Sequence, residues 1–396
     1  MAHVPARKRT RLQRIIALAR TTEESETPAV ECFGLLWRHA GERSSAPHLW
    51  AEPTLPAILP TAVNTMRRGD SHKMPPTILV ADNPLNDNAI AQELAPAGFA
   101  MIIARPNSAE FKAALPQAEY LVGFGDSSMS DDFYEATPNL KLVQLLSAGY
   151  DRCDIEAARR AGVPICNNGG ANAVAVAEHA LLLMLAVCRR IIWQHANVAS
   201  GRWRGNNWAD VKLFELYGRT LGIVGLGTIG KKVARLAQAF GMSVQYYDVV
   251  RLSEDQADAL GVRFRLMDEL LRTSDIVSLH VPLTPLTRHM MGAAQLRLMK
   301  STAYLINTCR GPVVDEPALY EALASNTIAG AGLDVFDQEP PPPDNKLFGL
   351  ANVILTAHFA GPTWDNQYAR FRNAFDNVQR VARGEKPLWV IPELRG

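Results

Sequence analysis

Residues 220 to 233 read TLGIVGLGTIGKKV, a pattern that predicts a short buried strand, a glycine-rich turn and the start of a helix. Each of three glycines has its own role in such a turn. Gly225 allows a sharp turn after the strand, Gly227 leaves bare backbone where a pyrophosphate can approach, and Gly230 allows the helix to pack close to the sheet. The free N–H groups at the start of the helix then form an anion site without a basic side chain.

The residues that follow favour a dinucleotide site over an ordinary glycine turn. The helix is expected to end at Gly241, and a second strand, residues 243–247, closes on Asp248. An acidic side chain about 20 residues past the glycines accepts the hydroxyls of an adenosine ribose and repels a 2′-phosphate. Asp248 therefore favours NAD over NADP, although Arg251 lies close enough in sequence to meet a 2′-phosphate. The alternative is that Asp248 is a solvated strand end.

The composition is that of an ordinary globular protein with room for two domains. The chain has 396 residues, of which 47% are hydrophobic and 20% are charged, and its formal net charge is +1. This balance gives no electrostatic reason to expect nucleic-acid binding, and the longest apolar run, residues 180–188, is too short to span a membrane. Five scattered cysteines favour free thiols in a reducing, cytoplasmic compartment. No spacing of ligand side chains predicts a metal site.

Residues 1–73 differ from the rest of the chain. They begin with a cluster of arginines and continue with Ser, Thr, Pro and Glu in little periodic order. We expect a disordered extension, or residues upstream of a true start near Met74. An organelle-targeting arm is the alternative.

From Thr77 onward, short apolar strands alternate with helices, which predicts an α/β fold of two doubly wound, Rossmann-like parallel sheets with a cleft between them. We expect residues 74–171 to form the first part of a substrate domain and residues 172–357 the cofactor domain, whose sheet has six or seven strands. A single long and largely buried helix, residues 173–199, is expected to join the two. Residues 358–396 are expected to return to the substrate domain.

Three segments that follow predicted strands carry polar side chains to one rim of the second sheet. They span residues 307–311, 334–340 and 356–361. In open α/β sheets ligands bind beyond the carboxyl ends of the strands. Arg310, Glu339 and His358 are therefore expected to surround the place where the reactive ring of the cofactor lies.

These side-chain types suit hydride chemistry on a carbonyl. Reduction of a 2-keto acid needs a group that holds the carboxylate, a group that polarises the carbonyl and a proton donor for the developing alkoxide. Arg310 suits the first two because its planar guanidinium is always charged and binds carboxylate oxygens in pairs. His358 suits the third, because a neighbouring carboxylate can fix the tautomer of an imidazole and keep its donor proton available.

Each candidate has a purely structural alternative. Arg310 alone could form a surface ion pair, and Glu339 could lie in a solvated turn before the prolines. His358 is the hardest to explain in this way, because it lies between a strand end and a loop of small residues. His179, on the long helix, is expected to be a satisfied core histidine, and His280 is expected to be structural.

Seven motifs in order resemble the D-isomer-specific 2-hydroxyacid dehydrogenase family, over residues 77–392. The motifs span residues 146–151, 172–179, 225–230, 280–284, 307–311, 332–340 and 356–361. Ordered matches of this number are more specific than any single glycine motif. Ala357 stands where proline is usual in the family, and Cys309 stands where alanine or serine is commoner. Glu339 argues against the formate dehydrogenase branch, which has glutamine at that position.

The resemblance implies a role for each matching residue. His358 is expected to be the acid/base, Glu339 its partner, and Arg310 the group that binds the substrate carboxylate and carbonyl. Backbone N–H groups that are expected to bind the same carboxylate belong to Ser147, Ala148 and Gly149. Asp334 is expected to meet the nicotinamide carboxamide. The full set of expected cofactor-binding residues is Gly225, Gly227, Thr228, Ile229, Gly230, Asp248, Val281, Pro282, Thr308, Cys309, Arg310, Asp334, His358 and Gly361.

The resemblance also implies a homodimer built through the cofactor domain, and an NAD-dependent enzyme that acts on a small D-2-hydroxy acid or 2-keto acid. Two alternatives stay open. The family includes transcriptional corepressors that sense a dinucleotide, and an intact set of site residues does not separate a sensor from an enzyme. Phosphoglycerate oxidation is the other, and it is weakened because a single helix and tail follow His358, without room for a C-terminal regulatory domain.

Overall fold

The computed structural model describes residues 75–204, 209 and 211–395. The expected extension, residues 1–73, lies outside this part of the chain. No helix among the described residues is both long enough and apolar enough to cross a membrane.

Two parallel sheets organise the described residues. The strands of the first are β1 (Thr77–Ala81), β2 (Ala100–Ala104), β3 (Ala118–Val122), β4 (Leu142–Gln144) and β5 (Ile165–Cys166). They lie in the order β2-β1-β3-β4-β5. The strands of the second are β6 (Thr220–Val224), β7 (Ser243–Tyr247), β8 (Val262–Phe264), β9 (Ile276–Leu279), β10 (Tyr304–Asn307), β11 (Gly330–Leu333) and β12 (Val353–Leu355). They lie in the order β12-β11-β10-β9-β6-β7-β8, so the predicted α/β class with two doubly wound sheets is confirmed.

Helices cover both faces of each sheet, which is why the central strands are buried almost throughout and mainly apolar, rather than alternating. In the first half of the chain the helices are α1 (Asn88–Glu93), α2 (Ala109–Ala114), α3 (Asp131–Glu135), α4 (Ile155–Ala161), α5 (Ala173–Arg189) and α6 (Ile191–Ala199). In the second half they are α7 (Thr228–Ala239), α8 (Glu254–Leu260), α9 (Met267–Thr273), α10 (Ala293–Leu298), α11 (Glu316–Ala324) and α12 (Gln367–Ala382).

The last helix packs on the first sheet, although it follows the second sheet in sequence. Phe371, Phe375 and Val378 of α12 are buried in one cluster with Ile78 of β1 and Tyr120 of β3. The predicted return of residues 358–396 to the first domain requires packing of this kind. The domain boundaries themselves stay a prediction.

The prediction of one long buried helix over residues 173–199 is wrong in its second half. Arg190 has a positive φ of 49°, and its N–H caps α5 by donating to the carbonyls of Ala186 and Val187. The chain then restarts as α6, in which Asn197 is the one buried residue. Of the two helices, only α5 packs its apolar face, together with α7, against the second sheet. The sequence did not predict this break, because apolar residues continue from α5 into α6.

Candidate active site

The glycine turn between β6 and α7 has the close contacts that its glycines were expected to allow. Gly225 has a φ of +94°, and a Cβ there would lie 2.7 Å from the carbonyl oxygen of His280. A Cβ on Gly230 would lie 2.3 Å from the carbonyl oxygen of Gly225, whereas a Cβ on Gly227 would meet nothing within 4 Å. None of the side chains that the structure describes caps the first turn of α7, so its leading N–H groups, on residues 228 and 229, are available to an anion.

Asp248 lies directly after β7 and is held against this turn. Its Oδ2 accepts a hydrogen bond from the N–H of Leu226 at 2.6 Å, and its Oδ1 accepts one from the N–H of Val250 at 2.9 Å. The guanidinium of Arg251 lies over the ring of Phe264, 4.9 Å from its centroid, which is a cation–π contact. The carboxylate is thus fixed beside the turn, while the nearby cation is engaged with an aromatic ring.

The residues after β9 and β10 line the adjacent part of the rim. Val281, which Pro282 follows, lies against the turn, because a Cβ on Gly225 would come within 2.9 Å of its Cγ1. The buried Oγ1 of Thr308 has no hydrogen-bond partner among the described residues, which leaves a hydrogen-bonding group open for a ligand. The thiol of Cys309 donates to Oδ1 of Asn307 at 3.1 Å. Burial raises the pKa of this thiol to about 11, so it is a protonated structural group.

His358 and Glu339 form a hydrogen-bonded pair at the ends of β12 and β11. Nδ1 of His358 lies 2.8 Å from Oε2 of Glu339, and the imidazole side chain is 42% exposed while the carboxylate is 20% exposed. Burial alone would raise the pKa of Glu339, but bonding to His358, the N–H of Phe336 and the charge of Arg152 together lower it. The ionised carboxylate can only accept, so Nδ1 carries a proton and Nε2 is left for other partners.

Asp334 holds the loop that carries His358. It is fully buried, and its Oδ1 accepts hydrogen bonds from Thr356 Oγ1 at 2.6 Å and from the N–H of Phe359 at 3.0 Å. Its Oδ2 accepts from the N–H of Ala360 at 2.9 Å, and its own carbonyl accepts from the N–H of His358. These bonds fix the loop in which Ala357 precedes His358. The expected contact of Asp334 with the nicotinamide carboxamide stays a prediction.

Two further side chains support this loop, one from α5 and one from the residue that precedes α12. Nε2 of His179 on α5 lies 2.9 Å from Oγ1 of Thr356 and 3.5 Å from Oδ1 of Asp334, so this histidine has the polar partner expected of a satisfied core group. The carbonyl of Gly361, at the far end of the loop, accepts a hydrogen bond from Nδ2 of Asn366 at 2.7 Å.

His280 has a structural environment. Its Nε2 lies 2.9 Å from Oγ of Ser278, and its backbone N–H donates to the carbonyl of Val224 on the neighbouring strand. Burial lowers its pKa from 6.5 to about 4, so the imidazole is neutral near pH 7. A neutral, buried ring is unsuited to supply the proton.

Arg310 reaches from the end of β10 to the loop that follows β4. A Cβ on Gly149 would lie 1.3 Å from Nη2 of Arg310, so the guanidinium rests directly on the backbone of that loop. Its Nε donates to Oδ1 of Asp151 at 2.7 Å, and its Nη1 donates to the carbonyl of Cys309 at 2.7 Å. No backbone N–H of Ser147, Ala148 or Gly149 bonds to another described residue. The structure thus brings together the guanidinium and the N–H groups that were predicted to bind one carboxylate.

Beside the His358–Glu339 pair lies a cavity of about 520 Å³. Its walls are mainly apolar and include Phe336, Phe348 and Leu355, and Arg152 also lines it. Nη2 of Arg152 lies 3.7 Å from Oε2 of Glu339, and its side chain is largely exposed. Among the described residues, no group of three or more His, Cys, Asp or Glu side chains could hold a metal ion.

Comparison with known proteins assigns this arrangement to a family. A family model described as "D-isomer specific 2-hydroxyacid dehydrogenase, NAD binding domain" matches residues 181–360. A glyoxylate reductase of Korarchaeum cryptofilum is 43% identical over 269 residues, which are 67% of this chain and 80% of that protein. This chain belongs to the D-isomer specific 2-hydroxyacid dehydrogenase family.

Two other members of the family resemble the chain. A D-3-phosphoglycerate dehydrogenase of Methanocaldococcus jannaschii is 38% identical over 311 residues, 78% of this chain and 58% of that protein. The crystal structure of D-lactate dehydrogenase from Aquifex aeolicus, complexed with NAD and lactic acid, has a TM-score of 0.68 at 29% identity and covers 78% of this chain and 96% of that chain. This dehydrogenase is therefore an NAD(P)-dependent oxidoreductase of the CH–OH group.

The residues of this dehydrogenase fit the cofactor that its family binds. The open position at Gly227, the uncapped start of α7 and the fixed carboxylate of Asp248 suit a pyrophosphate and an adenosine ribose. At the same rim, Oγ1 of Thr308 has no hydrogen-bond partner among the described residues and is therefore available to a cofactor. NAD is thus the supported cofactor, and NADP is compatible with the family.

Sequence reasoning missed two neighbouring residues of this dehydrogenase, Asp151 and Arg152, which bind Arg310 and Glu339. Asp151 ends the motif of residues 146–151, and that position was the available signal. The pairing itself was not predictable, because 159 positions separate Asp151 from Arg310 and the two residues follow strands of different sheets.

Proposed function

We propose that this dehydrogenase reduces small 2-keto acids with NADH, glyoxylate among them. The observation that carries the proposal is the hydrogen bond of 2.8 Å between Nδ1 of His358 and Glu339. These residues follow β12 and β11, and β11 lies next to β10, the strand that Arg310 follows. A donor imidazole, its carboxylate partner and a guanidinium are the groups that carbonyl reduction requires.

Arg310 binds and polarises the substrate in this proposal. Its Nη2 bonds to no described residue, whereas Nε and Nη1 are both engaged. The free donor and the N–H groups of residues 147–149 bind the substrate carboxylate, and the positive charge draws electron density from the adjacent carbonyl. The 2-keto acid is thereby oriented before any bond changes.

His358 supplies the proton. The nicotinamide, when bound, supplies a hydride to the carbonyl carbon. As negative charge develops on the carbonyl oxygen, Nε2 of His358 donates its proton to it, and the imidazole ends neutral with its remaining proton on Nδ1, toward Glu339. The Glu339 carboxylate stabilises the charged imidazolium before transfer and keeps the ring oriented throughout. Oxidation of a 2-hydroxy acid follows the same path in reverse.

Glyoxylate is the first substrate to test because the Korarchaeum cryptofilum relative is named a glyoxylate reductase. The Methanocaldococcus jannaschii relative is named a D-3-phosphoglycerate dehydrogenase, so 3-phosphohydroxypyruvate belongs in the same panel. Among the described residues, Arg152 is the one Lys or Arg side chain that lines the cavity beside Glu339, and it already faces that carboxylate. This arrangement favours an uncharged substituent over a phosphate.

The test is NADH oxidation with glyoxylate, hydroxypyruvate, pyruvate, longer 2-keto acids and 3-phosphohydroxypyruvate. We expect turnover with one or more of the unphosphorylated acids. Tight NADH binding without turnover on any of them would contradict the proposal and favour a dinucleotide sensor. Turnover restricted to the phosphorylated acid would favour phosphoglycerate oxidation.

We further propose a homodimer that buries the outer face of α5 and α6. Apolar side chains are exposed along this face, among them Leu182 (55%), Ile192 (60%) and Val198 (55%). Exposed apolar patches of this kind commonly mark protein–protein contacts. We expect L182E/I192E to run as a monomer in light scattering, whereas L286E, which changes an exposed leucine elsewhere, should not. A wild-type monomer, or a variant that stays dimeric, would refute this interface.

We also propose that the protein is located in the cytoplasm. The cysteines of the described residues, at positions 153, 166, 188 and 309, are all free thiols, which suits a reducing compartment. Fractionation of the source cells should find the protein and its NADH oxidase activity in the cytoplasmic fraction. Recovery in an organelle or an oxidising compartment would contradict this location.

A further inference from the structure

Asp151 makes a contact that the reaction described above does not use. Its Oδ1 accepts a hydrogen bond from Nε of Arg310 at 2.7 Å. The two side chains are mostly buried, with 25% of Arg310 and 22% of Asp151 exposed. A charge-assisted hydrogen bond of this length, between side chains that are partly shielded from solvent, restrains the direction of a guanidinium.

The remaining contacts of Arg310 show what this restraint achieves. Nη1 is held by the carbonyl of Cys309, and Nη2 lies where a Cβ of Gly149 would be. Because Nε and Nη1 both donate hydrogen bonds, the orientation of the guanidinium is restrained at two of its three nitrogens. Nη2 is therefore presented to the loop of residues 147–149 rather than left free to rotate.

We propose that Asp151 is the positioning residue for Arg310. It holds the guanidinium on the backbone of Gly149, so that Nη2 and the N–H groups of residues 147–149 face one substrate carboxylate together. Asp151 itself touches neither substrate nor cofactor. This inference rests on the proposed function, because it assigns the origin of carboxylate recognition in that same site.

A comparison within the same half of the chain separates this pair from an ordinary surface ion pair. Arg160 binds Asp131 through two hydrogen bonds of 2.9 Å, but both side chains are more than half exposed. Exposed pairs of this kind contribute little. Asp131 therefore offers a matched control, because it is the same residue type, paired with an arginine, outside the site.

The experiment compares D151A and D151N with wild type and with D131A. The readouts are kcat and KM for the best 2-keto acid, the dissociation constant for NADH and inhibition by oxamate, which carries the same carboxylate and carbonyl. We expect D151A to raise KM and the oxamate inhibition constant by about tenfold or more, because a charge-assisted hydrogen bond is lost. NADH affinity should stay within about twofold, and D151N, which keeps an acceptor, should recover part of the loss.

Two variants show whether the effect acts through Arg310. G149A keeps the Asp151 side chain but places a methyl group where Nη2 lies, so it should displace the guanidinium and raise KM as D151A does. In an R310A background, D151A should have no further effect on KM, because the group that it positions is gone. Additive losses in the double variant, or kinetics of D151A equal to those of D131A, would overturn the inference.

A crystal structure of D151A tests the positioning role of Asp151 independently of the proposed function. A guanidinium displaced from Gly149 supports the positioning role even if no 2-keto acid is turned over, an outcome that would contradict the proposed function alone. A guanidinium that stays on Gly149 in D151A would overturn the inference even in an active enzyme.

Discussion

His358 has a backbone conformation that is uncommon for a residue with a side chain. Its φ is +56°, a region in which a non-glycine residue is strained. Four hydrogen bonds to Asp334, from residues 356 and 358–360, hold the loop in this shape. A fully buried aspartate thus orients the imidazole toward Glu339, a structural task that its place in the motif did not reveal.

Glu339 should make stability depend on pH in a defined direction. Its pKa in the folded chain is lowered from the ordinary value of 4.5, so its ionised form stabilises the fold above about pH 4.5. That contribution is lost as the pH falls through the lowered pKa. The difference in free energy of unfolding between wild type and E339Q should therefore shrink from pH 6 to pH 3 in urea titrations.

E321Q, which changes an exposed glutamate on α11, is the matched control for E339Q. Its difference from wild type should change little over the same range. A gap between wild type and E339Q that is constant, or that widens toward pH 3, would show that Glu339 is not held ionised by His358 and its other partners.

Asp248 should set the preference between the two dinucleotides. Its carboxylate is fixed by two N–H groups and would repel a 2′-phosphate. We expect D248A to narrow the ratio of kcat/KM for NADH over NADPH by about tenfold or more. R251A should change the ratio less, because Arg251 is stacked on Phe264. A wild-type enzyme that already prefers NADPH would contradict this interpretation.

At the scale of the element, the turn between β6 and α7 was predictable in detail. Its glycines are needed for contacts within a few residues, and such local constraints can be read from spacing. The break between α5 and α6 was not predictable, because arginine is not a residue type that indicates a left-handed helix cap. The difference in burial between α5 and α6 depends on what packs against each helix, which periodicity alone does not define.

Alanine substitutions at two glycines of this turn should affect different properties, NADH affinity in one case and stability in the other. G227A should unfold like wild type yet lose NADH affinity, because its Cβ meets none of the described residues within 4 Å but occupies the expected place of a pyrophosphate. G230A should instead lose about 1–3 kcal/mol of stability, because its Cβ would lie 2.3 Å from a carbonyl oxygen. Thermal unfolding and NADH fluorescence titration measure both effects.

A G227A variant that binds NADH as tightly as wild type would show that the pyrophosphate does not lie over this residue. A G230A variant of unchanged stability would show that α7 can shift away from the turn at no cost.

At the scale of the whole molecule, the sequence predicted the two sheets and the strands that carry Arg310, Glu339 and His358. These predictions succeed because parallel strands with helical crossovers place their carboxyl ends at one edge. Contacts between the sheets escaped prediction, since Asp151 reaches Arg310 and Arg152 reaches Glu339 only after both sheets have folded. Side chains of the first sheet thereby complete a site whose reactive groups follow strands of the second.

The role of His358 as proton donor is tested most directly by the turnover number of H358A for NADH-dependent reduction of glyoxylate, or of the best acid in the panel, measured beside its dissociation constant for NADH. We expect kcat to fall by about 10²–10⁴-fold, because the proton donor is lost, while NADH binding changes little. Turnover equal to that of wild type would contradict this role.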